Sequence, residues 1–355
     1  MDRHIKALEI LHEGTVIPAI PLVLNKERKF NEQGQRTLIR YYLHAGVGGL
    51  AIGVHTTQFE IRDPKIGLFE PLLKIAAEEI DAFEKNNDKV IVRIAGACGP
   101  VAQAVLESKT AQDLGYDAVL LSPGGLNNLS ENEMIERTKY VAALMPVIGF
   151  YLQPAVGGRR FSFDYWKAIA DLENVVAFKA APFDRYMTLD LVRGCAFSDR
   201  SDKVALYTGN DDNIVIDLLT KYEFTVNNKL VSKRFVGGLL GHWSVWTHNV
   251  VSMFEILKSH REEIHIPSYL FTLAEQVTDC NGAFFDVRNN YKGCIAGIHE
   301  VLRRQGLMEG IWCLNPRETL SPGQKEEIDR VCKAYAHLND NDFVRRNIDK
   351  WKQER

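Results

Sequence analysis

Apolar residues along this chain gather in short runs, and between the runs they recur at three- and four-residue spacing. The first pattern suits strands buried on both faces; the second suits helices with one apolar face. Val16–Leu24 reads as a first strand and Gln33–Ala45 as a helix. Gly48–Val54, Val90–Ala95 and Ala118–Leu121 follow as strands, separated by helical periods over Pro71–Lys85 and Val101–Leu114. A helix over Glu131–Leu144, a strand over Val147–Tyr151 and a helix over Phe163–Leu172 continue the rhythm. Val175–Lys179 and Val204–Thr208 flank a helix at Thr188–Phe197, and a helix at Asp212–Thr220 precedes a last strand at Phe235–Leu240.

Eight strands alternating with helices, many built from Val, Ile, Leu and Ala, predict an α/β fold closed as a (β/α)8 TIM barrel. An open doubly wound sheet is the architectural rival. From His242 the strand signal fades, and helical periods run through Glu255, Tyr269–Phe285, Tyr291–Gln305 and Pro322–Leu338. The chain therefore divides into a barrel domain, residues 1–241, and a helical carboxy-terminal domain, residues 242–355. Its last stretch reads as a short surface helix with Phe343, Ile348 and Trp351 as apolar anchors.

A length of 355 residues accommodates this plan, since a barrel takes about 250. With 43 basic and 46 acidic residues the charge is nearly balanced, which excludes a strong overall field toward nucleic acid or an anionic membrane. Neither a secretory leader nor a membrane span is evident in the apolar runs, so the cytoplasm is the expected compartment. The six cysteines are scattered rather than paired, which fits a reducing environment and no disulfide scaffold. His260 and His265 lack the spacing of a zinc helix, and Gly46, Gly48, Gly49 and Gly53 lack that of a dinucleotide loop; neither a metal nor a cofactor is expected. Trp243 and Trp246 have no basic residues interleaved and read as core or subunit contact.

Candidate chemistry lies at strand ends, where barrels gather reacting groups. His55, Thr56 and Thr57 follow the second strand; the bland reading is a satisfied turn, the functional one a set of donors for a carboxylate. Tyr151 ends the fifth strand, where its phenol is either structural or a proton relay. Lys179 ends the sixth. A lysine buried there favours the neutral amine that nucleophilic attack requires.

The order of GVGGLAIGVHTT, GFYLQPAVGG, VVAFK and LYTGNDD, with a tyrosine 28 residues before the lysine, resembles the dihydrodipicolinate synthase and N-acetylneuraminate lyase superfamily of pyruvate-type aldolases. The resemblance covers roughly residues 14–330, through GHWSVWTHN and RRQGLMEG. It implies a homotetramer or homodimer that forms an imine between Lys179 and a small-molecule 2-oxo acid, with an aldehyde as second substrate. Tyr151 would handle protons together with Thr57, Thr56 and Thr57 would hold the carboxylate, and Gly209 would shape the pocket. His55 stands where the family usually has glycine, and would join in substrate binding.

Two departures bear on specificity. Ser122, Pro123, Gly124 and Gly125 occupy the place of an aromatic pair, and Val156 the place of an arginine for a second carboxylate, with Arg159 nearby as a substitute. True dihydrodipicolinate synthesis is therefore not expected. An aldolase, a 2-oxo sugar-acid dehydratase using the same lysine, and a non-catalytic binding or regulatory protein are the readings left open.

Overall fold

A computed structural model describes residues 2–354. Nine strands form: β1 (Val16–Pro18), β2 (Gly49–Ile52), β3 (Val92–Ala97), β4 (Ala118–Leu121), β5 (Val147–Leu152), β6 (Val175–Ala181), β7 (Ala205–Thr208), β8 (Lys221–Val226) and β9 (Lys229–Leu240). Eight of them run parallel in the order β1-β9-β7-β6-β5-β4-β3-β2. A parallel bridge from Ala19 to Ala51 joins the two ends of this order and closes the barrel. The fold is a TIM barrel with a helical carboxy-terminal region.

The core has the two layers that closure demands. Ile17, Val92, Ile94, Ala118, Ile148, Ala177 and Ala205 fill the barrel interior, while a larger set including Leu50, Val119, Phe178 and Leu206 packs strands against helices. The helix Arg3–Glu13 turns its buried Ala7 and Leu11 into the inner cluster. Tyr207 ties it there by donating a 2.7 Å hydrogen bond to the Leu11 carbonyl. The amino-terminal end of the barrel is thus stoppered, which leaves the carboxy-terminal end for the site.

Two expectations need correction. The first strand stops at Pro18 rather than Leu24, because Pro18 and Pro21 carry no N–H to continue a ladder. The last barrel strand starts at Lys229, not Phe235, and forms an antiparallel hairpin with β8 across Asn227 and Asn228. Both asparagines lie in the left-handed region (φ 49° and 62°), as a tight hairpin turn requires.

The helical region is fastened to the barrel at several points. Its final helix, Asn341–Gln353, buries Val344 and Trp351. Arg40, held by Glu79 at 2.6 and 2.8 Å, donates to the Trp351 carbonyl at 2.8 Å. This is the expected surface helix, anchored to the barrel through Trp351. Among the described residues, no helix is long and apolar enough to cross a membrane.

Candidate active site

One cavity opens at the carboxy-terminal ends of the strands, with Lys179 inside it beside Thr56, His55 and Gly209. Lys179 is only 8% exposed. Its Nζ lies 4.5 Å from the centre of the Phe150 ring. Burial lowers its pKa, and the nearby carboxylate of Asp211 opposes that shift. Burial raises the pKa of Asp211 in turn, against the pull of the His242 amide and Lys179. Burial thus disfavours the charged form of both the amine and the acid, while the charge of each favours that of the other.

The cavity depends on Gly209. A Cβ there would sit 2.6 Å from Lys179 Cε and 2.8 Å from Ala181 Cβ, so only glycine lets the lysine extend. Thr56 lines the cavity at the short turn His55–Thr57. His55 lines it too, with its pKa lowered to about 4, first by burial and then by Lys179. It is a neutral imidazole at neutral pH.

Three of the expected site residues are placed differently. The hydroxyl of Thr57 donates to the Ile20 carbonyl at 2.8 Å and accepts from the amides of Gly53 and Val54 at 3.1 and 3.2 Å. One donor and two acceptors are all a hydroxyl has. Thr57 therefore clamps the turn and has nothing left to move a proton or hold a carboxylate. Arg159 also points elsewhere: its guanidinium donates to the Leu129 carbonyl and lies over the Phe161 ring. The cavity wall at that strand end is Val156.

Tyr151 is the third correction. On β5, Phe150 pairs with Lys179 and Tyr151 with Ala180. Neighbours along a strand face opposite ways, so Phe150 enters the cavity and Tyr151 enters the helix layer. There its ring lies 4.7 Å from that of Trp166, and its hydroxyl accepts from the Phe161 amide at 3.2 Å. Burial raises its pKa to about 12. Tyr151→Phe should accordingly leave turnover within about threefold and cost about 1–3 kcal/mol of stability through the orphaned amide. Steady-state rates and denaturant midpoints measured on the same preparation check both.

Asp211 was not singled out by sequence reasoning, although it lies within the LYTGNDD segment. The His242 amide donates to its carboxylate at 3.0 Å, and Asn281 donates to its backbone carbonyl at 2.6 Å. His242 Nδ1 in turn meets Asn281 Oδ1 at 2.5 Å. The helix Tyr269–Phe284, which carries Asn281, thus braces the acid beside the lysine.

The chain is similar to several known proteins over most of its length. Residues 13–221 match the profile of the Dihydrodipicolinate synthetase family. N-acetylneuraminate lyase 2 of Escherichia coli O6:H1 is 21% identical over 326 residues, which span 91% of this chain and 93% of that one. A 4-hydroxy-tetrahydrodipicolinate synthase of Clostridium perfringens is 31% identical over 137 residues, 38% of this chain and 45% of that one. The crystal structure of dihydrodipicolinate synthase from Oceanobacillus iheyensis superposes with a TM-score of 0.73 at 17% identity, covering 95% of this chain and all of the other.

Proposed function

The chain belongs to the Dihydrodipicolinate synthetase family and is a lyase, and from that premise we propose that Lys179 forms an imine with pyruvate or a related 2-oxo acid. The observation that carries this reading is a buried lysine whose ammonium is disfavoured, at the carboxy-terminal mouth of a barrel, with an acid of raised pKa beside it.

In this mechanism Asp211 takes the proton from the Lys179 ammonium. The free amine attacks the ketone carbon, and the carbinolamine loses water to leave a protonated imine. The cationic nitrogen then accepts the electron pair released when the adjacent methyl carbon gives up a proton to solvent water, forming an enamine. Thr56 holds the substrate carboxylate. The enamine adds to an aldehyde in one direction, and carbon–carbon cleavage runs through the same intermediate in the other. With Val156 in place of a guanidinium, and Arg159 turned away, condensation with a semialdehyde that carries a second carboxylate is disfavoured.

Enamine formation needs no second substrate and so gives a direct test. In D2O the enzyme should catalyse deuterium incorporation into the methyl group of pyruvate, read by proton NMR. An exchange rate no higher than with a Lys179→Ala control, across a range of 2-oxo acids, would favour a binding protein instead.

The role of Asp211 has its own signature. The initial rate of imine formation should rise with pH through a midpoint below that of an ordinary lysine, because burial lowers the amine's pKa. Asp211→Asn removes the carboxylate that favours the ammonium, so the midpoint should move lower still. Stopped-flow trapping across pH 5–10 measures both; an upward movement would contradict the pairing.

A further inference from the structure

The phenol that sequence reasoning sought at Tyr151 has a counterpart in the cavity, supplied from the helical region by Tyr291. This side chain lines the same cavity as Lys179 and Asp211, as does Gln153. Its position is purchased with backbone strain: Tyr291 has φ 64°, in a region where a bulky residue is an outlier. Phe183, which follows β6, also has a left-handed backbone (φ 53°), and the two rings meet with centroids 6.0 Å apart at the cavity mouth.

A dedicated support holds this conformation. Buried Asp286 accepts from Asn289 Nδ2 at 2.7 Å, from the Gly293 amide at 3.0 Å and from Ser321 Oγ at 2.5 Å. The Tyr291 amide donates to the Asp286 carbonyl at 3.0 Å. On the barrel side, Asn210 accepts from the Phe183 amide at 3.1 Å. Residues held in strained conformations by networks on both sides of a cavity mark positions where geometry is imposed for function.

Beyond His55, Thr56, Gln153 and these groups, most of the wall is apolar. Phe150, Leu152, Val156, Phe285, Ile295 and Ile298 face the space above the lysine. Among the described residues that line it, Lys179 is the one Lys or Arg side chain, and Asp211 is anionic when it has lost its proton. A second carboxylate would be buried beside Asp211 with no lining Lys or Arg except the imine-forming Lys179, and a sugar chain would set much of its length of hydroxyls against apolar side chains.

Resting on the imine chemistry proposed above, we infer that the second substrate is an uncharged, apolar aldehyde, aryl or branched alkyl, whose oxygen receives its proton from the Tyr291 phenol. The enamine carbon bonds to the aldehyde carbon, and the carbonyl electron pair moves to oxygen, which takes the phenolic proton. Water then hydrolyses the product imine to a ketone and the Lys179 ammonium, and that ammonium returns a proton to the phenolate through solvent. Cleavage is the reverse.

The experiment uses the full chain with pyruvate and four aldehydes: benzaldehyde, 2-methylpropanal, glyceraldehyde and succinic semialdehyde. The two apolar aldehydes should be condensed with kcat/KM at least about tenfold above the polar pair, from desolvation and pocket fit. Tyr291→Phe should lower kcat with benzaldehyde by about 10²-fold while leaving borohydride trapping of pyruvate on Lys179 unchanged. Tyr151→Phe serves as the comparison and should keep its turnover. Preference for either polar aldehyde, no condensation with any of the four despite trapped pyruvate, or undiminished turnover in Tyr291→Phe would each overturn the inference. Failure to trap pyruvate in the unaltered enzyme would instead reject the imine reading itself, and this proposal with it.

Discussion

Lys179→Ala lowers turnover by about 10⁴-fold or more, because no other nucleophile can replace the amine and the covalent route is lost entirely. The fold survives: the lysine is a lining residue of a cavity, and its removal relieves the burial that already disfavours its charge. Circular dichroism and a thermal unfolding scan on the variant separate loss of chemistry from loss of structure. The deuterium exchange of pyruvate should vanish together with turnover. Residual turnover above about 1% of the unaltered rate in the folded variant would show that the reaction does not pass through this amine.

The next largest effect is expected at a residue with no side chain. Gly209→Val places branched carbons where a single Cβ already falls 2.6 Å from Lys179 Cε, so the lysine must swing away from its line of attack. A displacement of about 1 Å at a reacting atom is worth about 10²-fold in rate. Turnover should therefore fall by at least about that factor, with imine trapping slowed in parallel, while secondary structure stays intact. Gly209→Ala should fall between the two. A valine variant with normal trapping kinetics would mean that the lysine approaches substrate from another side.

These variants also separate what was legible in the sequence from what was not. The alternation of strand and helix was plain because barrel strands are buried on both faces and helices on one, two patterns with different periods. Lys179 is visible as a charge ending an apolar run, and Gly209 only through the resemblance of LYTGNDD to the family. The identity of its neighbours was hidden by one residue of register. Between Val147 and Ile148 the pairing of β5 with β6 shifts, and Val176 is passed over. With unbroken pairing, the 28-residue spacing that sets Val147 opposite Val175 would have set Tyr151 opposite Lys179. The shift puts Phe150 there instead, and a slip of one residue turns every side chain to the other face. No feature of the strand sequence announces such an irregularity.

Thr57 was concealed for a different reason. Its residue type suits both a clamp and a ligand, and only the three hydrogen bonds to Ile20, Gly53 and Val54 decide between them. Asp211 follows Gly209 by two positions and shares the segment used to find it. The neighbouring Asp212 offered the same chemistry, and strand-end geometry alone distinguishes which acid stands beside the lysine. Tyr291 lies beyond the reach of local reasoning, since it arrives from the helical region on a turn of three left-handed residues, Asp286, Asn290 and Tyr291 itself. The hairpin of β8 and β9 did carry a signal: adjacent asparagines between alternating polar and apolar residues are the mark of a tight turn.

The proposed chemistry rests on a covalent bond between Lys179 Nζ and a 2-oxo acid. Reduction with borohydride in the presence of pyruvate, followed by proteolysis and mass spectrometry, tests that bond directly. A single adduct with the mass of reduced pyruvate is expected on the peptide containing Lys179, absent when either pyruvate or borohydride is omitted. An adduct confined to another lysine, or none with any 2-oxo acid while the protein is folded, would contradict it.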